Sequence, residues 1–407
     1  RGLGDVYKRQ IMMQTESFKD PAAFLEVASK ITPHTPILAI KAGRTREGSV
    51  AVSSHTGTLV DQARMASAMY RKAGVVEFHD THEMVKAAIA FSTQEPPKGR
   101  RIGMITNTGG PGIQAVDEAV GSGLELATWS DKGRAKLEES LYAEASLGNP
   151  VDVVATANAD HYHAAVETLL EEDGTDMVLV FFVTAPFTDT EAIARRIKEA
   201  TDASDKPVVV VVETYSEFYG LIDKLRQSDL PVYEFAEDGA RALAAMYRYT
   251  TLRDREVEAP PELEVDRDRA AAILGRREGS DAYLPQADAF AMLAAYGIPV
   301  PKVHAISGPE DLEAAAAAVG FPCVLKVDST VVIHKSDEGG VVLGIEDGAA
   351  LAEAYDGMSR RFSGVEAAFI LQEQKPAGRE IIVGATESPG LGHLVMFGLG
   401  GIFVEVM

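Results

Sequence analysis

Short apolar runs rich in β-branched residues alternate along this chain with longer stretches in which apolar positions recur every three or four residues, and turn residues separate the two kinds. Pro36 to Ile40 predicts a strand, Asp61 to Lys72 a helix, Gly74 to Phe78 a strand and Asp80 to Phe91 a helix. Arg101 to Thr106, Met177 to Val183 and Pro207 to Val212 predict further strands, each with a helix after it. A third segment offers strands at Pro322 to Val327 and Phe369 to Gln374, another opening within Gly378 to Gly384, and an apolar terminal stretch at Phe397 to Glu405. Alternation of this kind implies parallel sheets. Glu95 to Arg101, rich in proline and charge, marks one boundary, and Arg253 to Arg269, with Pro260 and Pro261 and few apolar residues, reads as a linker. The expected division is residues 11–97, 98–253, a linker at 254–266, and 267–407. Arg1 to Gln10 lack the apolar core of a signal peptide and any link to the following pattern, and are taken as foreign sequence.

Length agrees with several units, since 407 residues exceed one compact core at about 150 residues per domain. Charge narrows the partners. With 61 acidic and 39 basic residues the net charge is −22, which repels nucleic-acid phosphates and anionic lipid headgroups. Cys323 is the sole cysteine, so the chain forms no internal disulfide and no multi-cysteine zinc site, and a reducing cytoplasmic setting fits. The longest apolar runs, Met177 to Val183 and Val208 to Val212, fall far short of the roughly 20 residues a membrane helix needs.

Candidate chemistry sits in a few polar, glycine-bearing turns. Ala51 to Leu59 places His55 just before a helix pattern, where free backbone N–H groups favour a phosphoryl group and Gly57 permits close approach. The same spacing fits a polar turn with an N-capping Ser or Thr. Thr106 to Gly112 follows a strand and opens a helix pattern at Gln114 to Ala119; such a turn aims backbone donors at an anion, although it is neither a dinucleotide fingerprint nor a phosphate loop. A plain tight turn reads equally well there. Lys326 stands among apolar neighbours on a predicted strand, as a functional cation or a snorkelling edge residue. His334 lies beside Gly339 and Gly340, in a mobile loop or a surface hairpin. His79, His82, His161 and His163 are explained by helix or turn surfaces, and no protein-bound zinc is expected.

Six motifs in order carry a resemblance: Ser-Ser-His-Thr-Gly at 53 to 57, Thr-Asn-Thr-Gly-Gly-Pro-Gly at 106 to 112, Asn-Pro-Val-Asp at 149 to 152, Tyr-Gly-Ile-Pro-Val-Pro at 296 to 301, His-Lys-Ser-Asp-Glu-Gly-Gly-Val at 334 to 341 and Phe-Gly-Leu-Gly-Gly at 397 to 401. Together they resemble the ADP-forming acetyl-CoA (acyl-CoA) synthetases, relatives of succinyl-CoA synthetase, over roughly Ile11 to Met407. The resemblance implies an α/β fold of two flavodoxin-like parallel-sheet domains followed by a partial ATP-grasp domain. It implies His55 as phosphoryl acceptor, Glu16 as the acid that steadies it, and His334 as a relaying phosphohistidine. Ser54, Thr56, Gly57, Gly109, Gly110 and Gly112 would hold phosphate, and Lys326, Gln372, Glu373 and Glu380 would face nucleotide.

ATP or ADP, CoA and magnesium are the implied cofactors; a carboxylic acid, acyl-CoA and phosphate are the implied small-molecule partners. Nucleic acid and membrane are not. Two departures stand out: no CoA-binding domain precedes Ile11, and the second half of the ATP-grasp domain, with its magnesium carboxylates, is missing after Met407. This stretch alone is therefore expected to be inactive and to hold no metal. Ser329 to Ile333 also lacks the Pro-Asp usual before the loop. The whole would be one long polypeptide able to form a homodimer. The rival reading is a protein lysine acetyltransferase, or a CoA or nucleotide sensor, that keeps this scaffold without phosphohistidine chemistry; His55 argues against it.

Overall fold

The computed structural model describes residues 9–45, 48, 62–184, 187–214, 229–256, 258–259, 261–276, 284–329, 339–363, 368–388 and 392–401. The chain divides into two compact units, residues 1–257 with 386–394, and residues 258–385 with 395–407.

The first unit opens with a parallel sheet in which β1 (Ile11–Thr15), β2 (Ile37–Lys41) and β3 (Val76–Phe78) lie side by side in chain order. β1 was absent from the predicted elements: Met12, Met13 and Gln14 give no β-branched signal, and the ladder to β2 decides the conformation. β2 is buried at all five positions, as a central strand covered on both faces should be. α1 (Pro21–Ile31) starts on Asp20, whose side chain accepts from Ala23 N, with proline at the first helical position. α2 (Gln62–Ala73) and α3 (Thr81–Thr93) complete this segment.

The second segment runs β4 (Arg101–Thr106), α4 (Gly109–Gly121), β5 (Glu125–Leu126), α5 (Asp131–Ser140), β6 (Val151–Asp152), α6 (Ala159–Glu171), β7 (Met177–Val183), α7 (Thr190–Thr201), β8 (Val208–Glu213), β9 (Val232–Tyr233) and α8 (Ala236–Arg253). Its parallel sheet has the order β5-β4-β7-β8-β9, and β6 adds to the carboxyl end of β4. β7 shows why it is buried on both faces. Met177, Leu179 and Phe181 enter one core, Val178, Val180 and Phe182 the other. The first of these cores also takes Leu38, Ile40 and Val76 of the first sheet and Leu243, Met246 and Tyr249 of α8, so the two sheets share apolar packing. Each such side chain contributes about 1.5–3 kcal/mol by leaving water. Tyr249 seals the junction by donating its hydroxyl to Thr32 O at 2.6 Å.

The second unit contains α9 (Arg267–Gly275), α10 (Gln286–Ala295), β10 (Val303–Ile306), α11 (Leu312–Val319), β11 (Cys323–Asp328), β12 (Val341–Ile345), α12 (Gly348–Arg361) and β13 (Ala368–Glu373). Its sheet, ordered β10-β13-β11-β12, is antiparallel, which corrects the parallel pairing expected from alternation. The reason is the insertion of β13 between β10 and β11. Those two run the same way across α11, as a crossover requires, but neither touches the other; the strand between them runs opposite to both. β14 (Ile381–Ser388) and β15 (Gly392–Leu399) form a separate two-stranded sheet.

Candidate functional site

Open α/β sheets bind ligands outside the carboxyl ends of their strands, where the strand order reverses. β4 has β5 and β6 on one side and β7 on the other, so the reversal falls between β4 and β7. Asn107, just past β4, extends that ladder by one side-chain rung: its Oδ1 accepts from Val183 N at 2.9 Å and its Nδ2 donates to Val183 O at 3.0 Å. The Thr106 hydroxyl accepts from Thr108 N at 3.1 Å and donates to Thr108 O at 2.6 Å, curling the chain into α4. Thr108, at the N-cap, makes no side-chain bond to the helix, and the first turn carries no acid. A Cβ at Gly109 or Gly110 would meet open space, whereas one at Gly112 would lie 3.3 Å from the Thr106 side chain. The first two glycines leave access and the third permits packing. The leading amides of α4 thus keep the positive end of its dipole available to an anion. The helix begins at Gly109, five residues before the predicted pattern at Gln114.

On the first sheet, Glu16 follows the last residue of β1 and is exposed. Thr15 pairs with Lys41, which closes β2 and is only 3% exposed. The Lys41 ammonium donates to Glu16 O at 2.7 Å and Ala42 O at 2.5 Å. Burial pulls it below the ordinary lysine value, and the Glu16 charge works the other way. The Thr15 and Tyr70 hydroxyls are hydrogen-bonded to each other beside it. Ser54, His55, Thr56 and Gly57 lie outside the described residues.

In the second unit, Lys326 of β11 donates from Nζ to Gln372 Oε1 of β13 at 2.8 Å, so two of the predicted nucleotide-facing residues are together. Glu373 faces elsewhere. It forms an ion pair with Lys375 at 2.8 Å and accepts from Lys302 N at 3.3 Å, and the Lys375 bond holds its carboxyl below the usual range. Glu380 stands at the base of the β14–β15 sheet, its carbonyl accepting from Gly400 N at 2.8 Å. His334 lies outside the described residues.

Three family models match in succession: a succinyl-CoA ligase-like flavodoxin domain at residues 4–91, a ligase-CoA domain at 102–255 and an ATP-grasp domain at 275–407. The first match begins inside the stretch read as foreign. An ADP-forming acetate–CoA ligase of Archaeoglobus fulgidus is 30% identical over 98% of this chain and 58% of its own length. A 4-hydroxybutyrate–CoA ligase of Nitrosopumilus maritimus, also ADP-forming, is 28% identical over 98% of this chain and 58% of its own. A dinucleotide-forming acetyl-coenzyme A synthetase of Ca. Korarchaeum cryptofilum, solved with phosphate and ADP, is 26% identical with a TM-score of 0.57, covering 60% of this chain and 53% of that one.

The chain carries succinyl-CoA ligase-like, ligase-CoA and ATP-grasp domains in that order and is similar along nearly all its length to ADP-forming acyl-CoA ligases.

This chain spans just under three fifths of the length of those two sequence relatives. Among its described residues no helix is long and apolar enough to cross a membrane, and no group of three or more His, Cys, Asp or Glu side chains converges to hold a metal ion. The minor histidines have structural partners: His82 meets Asp238 at 3.3 Å, His161 Nδ1 accepts from Asn158 N at 3.1 Å, and His163 Nδ1 pairs with Arg196 O at 3.0 Å. Sequence reasoning missed Lys41, although a lysine closing Ile-Leu-Ala-Ile is the same signal that marked Lys326. It also missed Asp328, which accepts from Gln286 N at 2.7 Å and so caps α10 from a distant strand.

Proposed function

We propose that the full-length protein is an ADP-forming acyl-CoA synthetase of the acetate–CoA ligase type, working in the cytoplasm through phosphohistidine. Phosphate attacks the thioester of bound acyl-CoA, releasing CoA and leaving an acyl phosphate. A ring nitrogen of His55 then takes the phosphoryl group, releasing the carboxylic acid, and the phosphoryl passes by way of His334 to ADP, giving ATP. A neutral imidazole is nucleophilic near pH 7, and its phosphoramidate remains energetic enough to phosphorylate ADP.

The observation that carries this reading is the first turn of α4: open glycines, no cap and no acid, at the carboxyl edge of a parallel sheet where strand order reverses. Preorganised N–H groups of this kind neutralise a phosphoryl oxygen without reorganisation. Lys326, held by Gln372, would meet nucleotide phosphates, with Glu380 nearby and Glu16 steadying His55; Glu373, turned to Lys375 and Lys302, would reach the nucleotide only from its other side. Magnesium spreads charge on nucleotide phosphates when bound. The described residues offer no carboxylate cluster for it, so no step is assigned to it. ADP and phosphate are named with the Ca. Korarchaeum cryptofilum structure, and CoA and ADP formation with the sequence relatives.

The test uses full-length protein with acetate and other carboxylic acids, CoA, ATP and magnesium. His55→Ala should lower acyl-CoA synthesis by at least 100-fold, and wild type should carry acid-labile phosphate on the His55 peptide. Undiminished synthesis by His55→Ala would sink the proposal.

A further inference from the structure

Lys41 sits where a lysine is costly. Lysine ordinarily carries its charge out to water along a flexible stem, and a buried cation persists only where its donors are met. Here the ammonium is buried at the end of the central strand of the first sheet, and its two described acceptors are main-chain carbonyls, Glu16 O and Ala42 O. Those carbonyls belong to the first residues beyond β1 and β2. The sheet ladder already joins the strands up to that level, with Ala42 N donating to Thr15 O at 2.9 Å. Lys41 adds a tie one residue further out, between the turn that presents Glu16 and the turn that leads toward residues 51–59 and His55.

We propose that Lys41 is a positioning residue of the phosphohistidine site, its ammonium fixing the Glu16 turn against the turn after β2 and placing a stationary positive charge at that edge. The inference rests on the assignment of His55 as phosphoryl acceptor. A fixed cation there serves two ends: it holds the turn that carries Glu16 in one position, and it favours an anionic phosphoryl group at that edge.

A lysine that only holds the fold is the competing account, and the molecule contains a second lysine of similar bonding to serve as a control. Lys206 donates from Nζ to two carbonyls in the same way, Leu170 O at 2.7 Å and Glu172 O at 2.8 Å, just before β8 at the amino edge of the second sheet. Its burial likewise pulls it below the ordinary lysine value. The bonding chemistry matches; Lys206 is only half-buried where Lys41 is buried, and it lies at the other edge of a different sheet.

The experiment compares wild type, Lys41→Met, Lys41→Gln and Lys206→Met in full-length protein given labelled ATP and magnesium. It reads the rate at which acid-labile phosphate appears on the His55 peptide per folded chain, the KM for ATP, and the thermal midpoint. Lys41→Met should slow labelling by about 30-fold or more with KM for ATP unchanged, the nucleotide residues lying in a different unit. Lys206→Met should lower the midpoint and label within twofold of wild type. If Lys41→Met does not fold, Lys41→Gln, neutral but still a donor, decides: about tenfold slower supports the proposal, a wild-type rate overturns it. Equal slowing in Lys41→Met and Lys206→Met also overturns it. A wild type that carries no phosphate at His55 overturns the underlying site assignment together with this one, whereas normal wild-type labelling with fast Lys41→Met removes only Lys41.

Discussion

The two edges of the second sheet are built from similar polar residues and use them in opposite ways. At the amino edge Asp176 accepts from Arg101 N and from both Nε and Nη2 of its guanidinium at 2.8–2.9 Å, Asp176 N donates back to Arg101 O, and Gln94 Oε1 accepts from Val208 N at 3.1 Å. Each of these groups is spent on another protein group. The carboxyl edge is tied as firmly, through Asn107 on Val183 and Thr184 on Thr214 at 2.6 Å, and α6 there is closed by a reciprocal Asn158–His161 cap. Yet α4 beside it begins with free amides. The difference teaches that the vacant donors do not come from looseness. The surrounding strands are locked in register. α8, which follows β9, also starts without a side-chain cap, but it carries Glu237 and Asp238 in its first turn, whereas α4 has neither a cap nor an acid there, an arrangement suited to holding an anion without reorganisation.

Making α4 resemble α6 should abolish that distinction. Gly110→Asp places a carboxylate at an open Cβ position in the first turn, where it competes for the same amides. Acyl-CoA synthesis should fall about 100- to 1000-fold, the scale of losing a preorganised oxyanion donor, while stability holds or rises by about 0.3–1 kcal/mol from the dipole. Gly110→Ala supplies the contrast: it fills the same space without an acceptor, and activity should stay within threefold. Equal losses in both variants would point to backbone shape rather than to the amides.

How much of this was legible beforehand follows from local versus distant causes. Arg101 to Thr106 and Met177 to Val183 were read to the residue because a continuous apolar run bounded by turn residues marks a doubly covered strand. β5, β6 and β9 were not, since two residues carry no period and only the ladder defines them. Alternation gave connectivity in the second unit but not direction, because nothing local reports that β13 inserts between β10 and β11. The glycines of residues 109–112 were conspicuous, but helix propensity set the start too late; glycine and proline disfavour a helix interior and not its first turn. Lys326 was visible as a cation among apolar residues, and its partner Gln372 arrived only through strand pairing.

The amino edge offers a sharper test of the claim that its groups are structural. Burial alone would raise the Asp176 carboxyl, but the bonds and charge of Arg101 outweigh it and hold the group below the usual range. A depressed carboxyl contributes stability that is complete above its unfolded value, about 3.9, and that is lost as pH falls through the folded value. Asp176→Asn should therefore cost about 2 kcal/mol at pH 7, a charged hydrogen bond discounted because Arg101 is partly exposed. Urea unfolding of the two proteins should converge as pH drops below about 3.9 and the wild-type carboxyl protonates. Labelling at His55 should remain within twofold, since the substitution lies at the opposite end of the strands from the first turn of α4.

The smallest expected effect comes from opening the helix that is closed. Asn158 Oδ1 accepts from Asp160 N at 3.0 Å and His161 N at 3.1 Å, so Asn158→Ala leaves two leading amides of α6 to water. The cost should be about 1 kcal/mol in urea unfolding, and Asn158→Asp, which keeps the acceptor, should recover most of it. Activity should not change in either variant. A free helix end would then be insufficient: α6 so exposed still starts behind a turn without the open glycines of α4, and on the proposed reading only a helix whose amides are both unspent and reachable would hold a phosphoryl group. Were Asn158→Ala to alter the labelling rate at His55 by more than threefold, the two helix ends would have to be treated as one site.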